Sequence, residues 1–405
     1  MKLNYLALAV PFFILLMLAE FLIAKRKKKN YFNFTNSIAN INVGIAERLL
    51  DTLITGLFFF VYDYLNRHYG ILPITPSVLL WIALFICTDF TWYWYHRLAH
   101  EINLFWAAHI VHHQSEDFNY TVSARITVFQ AILRTGFWCV LPIIGFPAEM
   151  IVSVLLVHGL YPFFIHTRLI GKLGILEYIL VTPSHHRVHH ASNPVYLDKN
   201  YGDVLIIWDK LFGTFAKEEE EIVYGLTKPL NTHSFLWQHF HFIMELFYAV
   251  RMEKGWLNKL RMLFGKPEII DPTIRDGLEK KFHIRNHGDR NENELNQYVV
   301  WQVISSLGIL FIFILFEHHF SWEVQALITC FIIITLVNCG AILEQRQWIF
   351  YLEYSRGVIV SIAIILYYPS VSITASVMLI LGITLYFFHT LEDRYLGFVY
   401  KGEVA

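Results

Sequence analysis

Histidine is concentrated in three short stretches whose spacing suits metal coordination. The stretches comprise His96 and His100; His109, His112 and His113; and His185, His186, His189 and His190. Residues three and four apart share one face of a helix, so each stretch can direct two or three ring nitrogens at one point. Neutral imidazole is a common protein ligand for first-row metals. The pattern therefore predicts a metal centre, with a structural histidine network as the alternative.

The residue types around these histidines narrow the choice of metal. Carboxylates are scarce within the stretches, and the four cysteines lie in apolar runs without metal-binding or redox spacing. Structural zinc needs only four ligands and usually recruits cysteine, while magnesium and calcium require oxygen ligands. Iron suits imidazole and can activate O₂ where coordination positions stay open. So many nitrogen ligands can hold two metals, and a site reached from lipid favours oxidation of an apolar C–H bond.

The composition predicts that membrane helices position these histidines. The chain has 405 residues, of which 56% are hydrophobic and only 16% are charged, whereas soluble domains carry about 25% charged residues. We therefore expect an all-α integral membrane protein, a multi-span helical bundle with a cytoplasmic histidine-rich cap. The net charge of −1 gives no basic field for a nucleic-acid partner.

The order of apolar runs predicts the topology. The first run, residues 5–24, is long enough to cross a bilayer and is followed by five basic residues that favour the cytoplasm. Further apolar segments follow at 41–65, 78–95, 128–145, 148–165, 299–316, 324–343, 357–368 and 371–388. Nine crossings place the N-terminus outside and every histidine stretch on the cytoplasmic side. Glu353 and Arg356 are interpreted as juxtamembrane charges.

Three histidine motifs carry a family resemblance. His96-X3-His100, His109-X2-His112-His113 and His186-X2-His189-His190 resemble the three-box pattern of the fatty acid hydroxylase/sterol desaturase superfamily of membrane di-iron oxygenases. Longer stretches, including Thr182–His190 and Leu205–Phe215, are similar to the alkylglycerol monooxygenase branch. The resemblance covers residues 80–230 and is only architectural after residue 300. We expect N-terminal membrane segments at 1–70, a di-iron domain at 71–230, a cytoplasmic connecting region at 231–298 and C-terminal membrane segments at 299–405.

This resemblance implies a site and a reaction. It implies two iron ions held by nine ligands, namely His96, His100, His109, His112, His113, His166, His186, His189 and His190. Glu101 matches an acidic residue linked to pterin use, and its alternative role is a helix-end carboxylate hydrogen-bonded to a ligand histidine. His185 is expected beside the ligands and His158 as a hydrogen-bonded core residue. The implied reaction is hydroxylation of the ether-linked carbon of an alkylglycerol with O₂ and tetrahydrobiopterin, a soluble electron donor.

Two other functions remain open from the sequence. The boxes do not separate ether cleavage from hydroxylation or desaturation of a sterol, fatty acyl or carotenoid substrate in the same superfamily. A non-catalytic membrane metal-binding protein is the second alternative, although ligands on three separate elements exceed what such a protein needs.

The expected location is the inner membrane in a bacterium or the endoplasmic reticulum in a eukaryote. The aspartates after the third box, Asp198, Asp203 and Asp209, are expected in a solvated loop, where one of them can support a ligand histidine.

Overall fold

The computed structural model describes residues 3–284 and 295–400, and these form an almost entirely helical protein. The α-helices are α1 (Ala9–Arg26), α2 (Phe34–Tyr69), α3 (Val78–Glu101), α4 (Asn103–His113), α5 (Tyr120–Ser123), α6 (Val128–Phe137), α7 (Val140–Ile144), α8 (Ala148–His158), α9 (Tyr161–Ile165), α10 (Pro183–His189), α11 (Ile207–Phe212), α12 (Phe235–Met252), α13 (Trp256–Phe264), α14 (Thr273–Lys281), α15 (Leu295–Leu315), α16 (Trp322–Leu343), α17 (Ile349–Tyr367), α18 (Val371–Tyr386) and α19 (Phe388–Val399). Among the described residues, β-structure is limited to two isolated bridges. The predicted all-α fold is confirmed.

The chain divides into two compact units. One contains the described residues of Met1–Ile14, Asn231–Trp237 and Arg285–Ala405, and the other contains Leu15–Leu230 and Gln238–Ile284. The second unit carries all three histidine stretches. In the first unit, four helices converge on Glu353, whose Oε1 accepts hydrogen bonds from Tyr298, Gln302, Asn338 and Tyr395 at 2.6–3.1 Å.

Within residues 3–284 and 295–400, six helical segments are long and apolar enough to cross a membrane, so this is an integral membrane protein. They are Tyr5–Arg26, Val78–Glu101, Ala148–Ile165, Gln297–Leu315, Trp322–Leu343 and Ile349–Tyr367. A seventh is possible if α18 and α19, bent by 74° where they meet, form one span. By this measure six or seven of the nine predicted crossings qualify, because the segments at 41–65 and 128–145 do not pass and the one at 371–388 qualifies only as part of the bent pair.

The segment predicted at 128–145 is interrupted, and the one at 357–368 is longer than predicted. α6 ends at Phe137 and α7 begins at Val140, so this apolar stretch consists of two short helices. α17 begins at Ile349 and therefore includes Glu353 and Arg356 within a candidate span. The two side chains pair at 2.8 Å, which offsets the charge of each inside an apolar helix. Both residues therefore lie within a helix and not in a loop.

α2 is too polar to count as a candidate span, yet it runs alongside one. Near its start, Asn40 donates to Thr121 and accepts from Arg125, beside the second histidine stretch. Near its end, Asn66 donates to the carbonyl of Phe146, and α3 begins shortly afterwards and returns to His96 and His100. α2 therefore leads away from the histidines and α3 leads back. Its polar side chains are tolerated because several, including Asn40 and Glu47, are buried against protein.

A buried carboxylate fixes the C-terminal end of α1. Glu20 is 2% exposed although α1 as a whole is mostly uncovered. It accepts hydrogen bonds from the backbone N–H of Tyr120 at 2.7 Å and from the hydroxyl of Thr167. Because Thr167 follows His166 directly, the end of α1 that precedes the basic cluster lies next to the histidine region.

Candidate metal centre

Four elements bring the nine predicted histidines into two adjacent groups. α3 supplies His96 and His100, α4 supplies the second stretch, the end of α9 supplies His166 and α10 supplies the third stretch. The first group is His96, His100, His109, His113 and His189, and the second is His112, His166, His186 and His190. In each group, one possible ligand atom per residue lies within 4.8 Å of all the others. The rings of His113 and His190, one from each group, are 4.4 Å apart, so the two groups form one binuclear pocket.

The start of α10 explains why His185 stands apart. Thr182 is the N-cap, Pro183 occupies the first turn, and the backbone N–H of Thr182 donates to Nδ1 of His185 at 3.3 Å. A side chain that turns back onto its own helix start satisfies a backbone donor left free there. His185 therefore caps α10 and belongs to neither group, while His186, His189 and His190 point inward.

Outward hydrogen bonds fix the orientation of the clustered rings. Nδ1 of His96 donates to the carbonyl of Tyr201 at 2.8 Å, and Nδ1 of His189 donates to that of Lys199 at 3.0 Å. The Nδ1 atoms of His112 and His166 lie 3.2 and 2.5 Å from the carbonyls of Arg125 and Pro162. A carbonyl can only accept, so each of these rings carries its proton on Nδ1 and presents a bare Nε2 to the pocket.

These tautomers leave lone pairs facing each other across the pocket. Nε2 of His112 and Nε2 of His166 are 3.2 Å apart, and neither carries a proton. In addition, the buried Nε2 atoms of His100, His189 and His190 have no hydrogen-bond partner. Two nitrogens that bind one metal at about 2.1 Å and at right angles lie about 3 Å apart. The donor set therefore fits a pair of metal ions, and its nitrogen-only composition fits iron.

Burial keeps the imidazoles neutral. Burial, followed by the influence of neighbouring histidines, lowers the pKa of His112 and His190 well below the ordinary value of 6.5. Burial also lowers the pKa of His166 to about 4. The same direction and leading cause hold for His109, His113, His186 and His189. Neutral imidazole is the form that binds a metal, so burial holds these side chains in the form that metal binding requires.

A tight turn after the third stretch is held by Asp209. The carboxylate of Asp209 accepts from the backbone N–H groups of Tyr201 and Gly202, both at 2.7 Å, and is itself fully buried. A Cβ at Gly202 would lie 2.7 Å from the carbonyl of Leu205, so only glycine fits this turn. Because the carbonyl of Tyr201 orients His96, Asp209 acts on the pocket through the turn. The expectation of a solvated loop is wrong for Asp209 and for Asp203, which is 3% exposed.

His158 lies in a second polar cluster, between two buried carboxylates. Its Nε2 lies 2.9 Å from Asp89 and its Nδ1 lies 2.9 Å from Asp203. Asp89 also accepts from the backbone N–H groups of Val204 and Leu205 and therefore joins α3 to the loop that contains Tyr201. His158 is a hydrogen-bonded core residue, as predicted. Asp89 was not among the predicted site residues, although an ionisable residue inside an apolar run is itself a signal.

Arg125, which was not predicted as a site residue, is a buried cation beside the second histidine stretch. Its guanidinium is 2% exposed and donates to the carbonyl of Val111 and to the side chains of Asn40 and Gln114. Burial without a carboxylate partner lowers the pKa of Arg125 to about 9. The guanidinium thus ties α2 and α4 together while the Arg125 carbonyl orients His112.

Glu101 lies at the end of α3, outside both histidine groups. Its carboxylate accepts from Nε of Arg97 at 3.0 Å, and 30% of the side chain is exposed. The structure gives its carboxylate an arginine partner and no ligand histidine. The carboxylate nearest to His100 belongs to Asp198, whose Oδ1 lies 3.7 Å from Nδ1 of His100.

Comparisons with known proteins agree with this geometry. The sequence profile of the Fatty acid hydroxylase family matches residues 81–214, a region that contains all nine clustered histidines. An ornithine lipid hydroxylase of Rhizobium tropici is 29% identical over 144 residues, which cover 35% of this chain and 43% of that protein. No solved structure matches the chain.

Two longer relatives extend the match over most of the chain. Alkylglycerol monooxygenase of Homo sapiens is 35% identical over 352 residues, covering 85% of this chain and 78% of the relative. Alkylglycerol monooxygenase of Danio rerio is 33% identical over 371 residues, covering 88% and 81% respectively. The resemblance predicted from the three boxes is confirmed. The chain therefore belongs to the alkylglycerol monooxygenase family, within the fatty acid hydroxylase superfamily of membrane lipid monooxygenases.

Proposed function

We propose that this protein hydroxylates the ether-linked carbon of alkylglycerols with O₂ and tetrahydrobiopterin. The observation that carries the proposal is the pair of histidine groups, in a chain that aligns with alkylglycerol monooxygenases over 85% or more of its length. In the reaction, one oxygen atom of O₂ enters the C–H bond and the other leaves as water, with two electrons and two protons supplied by the pterin. The product is a hemiacetal, which collapses to a fatty aldehyde and glycerol.

The nine histidines are the proposed ligands of two iron ions. The first group would hold one ion through His96, His100, His109, His113 and His189, and the second would hold the other through His112, His166, His186 and His190. Bound iron supplies the O₂ activation that no amino-acid side chain provides. The chain's own contribution is to keep the imidazoles neutral, to fix their tautomers through backbone carbonyls and to exclude oxygen ligands from both groups.

Glu101 is proposed to bind the pterin. Its carboxylate follows His100 by one residue, is partly exposed and is positioned by Arg97. A partly exposed carboxylate can accept hydrogen bonds from the N–H groups of a pterin ring without entering either histidine group. Arg97 also donates to the hydroxyl of Tyr93 at 3.3 Å, so the carboxylate belongs to a short polar chain that leads inward along α3.

The proposed site lies at the cytoplasmic surface of the membrane. The five basic residues at the C-terminal end of α1 favour the cytoplasm, and Glu20 holds that end of α1 beside the histidine region. At this depth a glyceryl headgroup remains in water while its alkyl chain remains in lipid. A soluble donor reaches the same surface from the cytoplasm.

The decisive experiment supplies purified, iron-loaded protein with an alkylglycerol, O₂ and tetrahydrobiopterin and measures fatty aldehyde. We expect aldehyde release that requires all three, and we expect Glu101→Gln to raise the pterin concentration needed without lowering iron content. Aldehyde formed equally well with ferredoxin and no pterin would refute the donor. A hydroxylated acyl or sterol product without aldehyde would instead assign the alternative reaction in the same superfamily.

A further inference from the structure

α13 exposes an apolar face that no described residue covers. Trp256 is 69% exposed, Leu257 64% and Phe264 55%, and none of the nine residues of this helix is buried. The helix is attached to the protein through Met262 and Leu263, which pack against the core that contains residues of α4 and α12. The larger apolar residues of this helix are therefore directed away from the protein.

Basic side chains border this face on both sides. At about 100° per residue, Trp256, Leu260 and Phe264 fall on one arc, with Lys259 at one edge and Arg261 at the other. Lys254 and Lys266 add two exposed positive charges just before and after the helix. Aromatic and leucine side chains flanked by lysine and arginine are typical of helices that lie in a membrane surface, where the long basic side chains reach the headgroups.

Hydrogen bonds from Asn103 fix the position of α13 relative to the end of α3. The side-chain amide of Asn103 donates to the carbonyls of Met262 and Lys266 at 2.8 and 3.2 Å, and its backbone N–H donates to the carbonyl of Gly265 at 2.9 Å. Asn103 follows the end of the candidate span Val78–Glu101 by only two residues. α13 is consequently held at the level where α3 leaves the hydrocarbon.

We propose that α13 lies in the membrane surface and binds anionic lipid headgroups, and that it thereby anchors the first residue of α4. Its apolar face enters the acyl region while Lys259 and Arg261 contact phosphate groups from either side. Asn103 transmits this anchoring, since the same residue holds the end of α13 and begins the helix that carries His109, His112 and His113. A partner protein on this face is the competing occupant, but the depth set by Asn103 and the two basic edges favour lipid.

The depth of α13 is tested with environment-sensitive labels in nanodiscs. Cysteine is introduced in place of Leu260, on the apolar arc, or Asn258, on the opposite exposed side, in a background without native cysteine. We expect the label at position 260 to be shielded from aqueous iodide and quenched by doxyl lipids, with the reverse at position 258. Equal iodide quenching at both positions would place α13 in water. Shielding at 260 without doxyl quenching would indicate a protein partner and would also overturn the proposal.

The headgroup preference is tested with brominated lipids, which quench tryptophan. The signal of Trp256 is taken as the difference between the protein and its Trp256→Phe variant, with brominated phosphatidylglycerol diluted in phosphatidylcholine and the converse mixture. We expect enrichment of phosphatidylglycerol that falls by up to about fivefold for each charge removed in Lys259→Gln/Arg261→Gln. Lys217→Gln/Lys280→Gln, which removes two charges elsewhere, is the matched control and should retain the enrichment. The same enrichment in both double variants would contradict a role for α13 in headgroup binding.

Discussion

At the residue scale, the clustered histidines are spaced three or four positions apart, a spacing that directs their rings to one face of a helix. The residues that orient the rings were not predictable in this way. The carbonyl that fixes His96 belongs to Tyr201, 105 positions away, and a backbone acceptor has no side-chain signature. Asp209 was equally hidden, because a carboxylate in a polar loop gives no sign that it is buried.

Loss of a clustered histidine should remove metal, whereas loss of His185 should not. We expect His113→Ala and His189→Ala to abolish turnover and to lower bound iron, because each substitution removes one nitrogen donor from the first group. His185→Ala removes only a helix cap, which costs about 1 kcal/mol of stability. Elemental analysis of the purified variants measures the difference. Complete loss of iron in His185→Ala would make that residue a ligand.

Asp209→Asn should weaken iron binding without touching a ligand. The amide loses one acceptor oxygen, so the turn at Tyr201 and Gly202 relaxes and His96 loses its fixed orientation. Disturbing a hydrogen-bond partner of this type lowers metal affinity about 10- to 100-fold. Iron retention during dialysis against a chelator provides the measurement, with the exposed Glu220→Gln as control. Equal retention in the two variants would show that the turn is rigid without Asp209.

The buried imidazoles should make the metal-free protein sensitive to acid. Their folded-state pKa values lie below 6.5, so the unfolded chain binds more protons and the free energy of unfolding falls as pH decreases below about 6.5. Their contribution is complete above that pH and is lost progressively towards the folded-state values, about 4 for His166. Unfolding of the metal-free protein in detergent, followed as a function of pH, measures this loss. A free energy that is independent of pH across this window would contradict neutral, buried histidines.

At the scale of elements, α3 and α4 follow directly from sequence, while α2 and α6 show what periodicity and hydropathy omit. α2 extends from Phe34 to Tyr69, well beyond the apolar core at 41–65, because its polar positions are buried against neighbouring elements. α6 ends within its apolar segment, and nothing in the local hydropathy marks the break. Tertiary contacts decide both outcomes, and a single sequence does not display them.

α2 packs closely against the loop before α6, and substitution of Gly44 tests this contact. A Cβ at Gly44 would lie 2.7 Å from Cβ of Ala124 and 2.8 Å from its carbonyl oxygen. Gly44→Val should therefore push α2 away from Arg125, whose carbonyl orients His112, and should lower both thermal stability and iron content. Gly56→Val, on the same helix with no atom within 4 Å of the new Cβ, is the control. Equal losses in both variants would indicate a general effect on the helix.

At the scale of the whole molecule, the predicted membrane bundle is confirmed, but the number of crossings depends on α2. Hydropathy alone does not identify α2 as a membrane crossing. The hydrogen bonds of Asn40 and Asn66 nevertheless place the two ends of α2 near the two opposite ends of α3. The apolar runs of the sequence predict the C-terminal helices. The predicted segment at 357–368 is shorter than α17 because the charged pair of Glu353 and Arg356 interrupts the apolar run.

The topology can be tested with two single cysteines in a background without native cysteine. We expect Val195→Cys, in the exposed loop after α10, to react with an impermeant maleimide from the cytoplasmic side only. Leu72→Cys, in the turn between α2 and α3, should react only from the opposite side. Labelling of both positions from one side would show that α2 and α3 do not cross.

The buried carboxylate of Glu20 has a consequence for how the chain is made. Its hydrogen-bond partners Tyr120 and Thr167 lie 100 and 147 residues later in the sequence. At about 5–20 residues per second, a ribosome needs about 7–30 s after synthesising Glu20 to produce Thr167. During that interval the first membrane helix contains a carboxylate without its final partners, in an environment where an ionised side chain costs about 3 kcal/mol. Stable docking of the first helix therefore comes after synthesis of the polypeptide that contains the first two histidine stretches and His166.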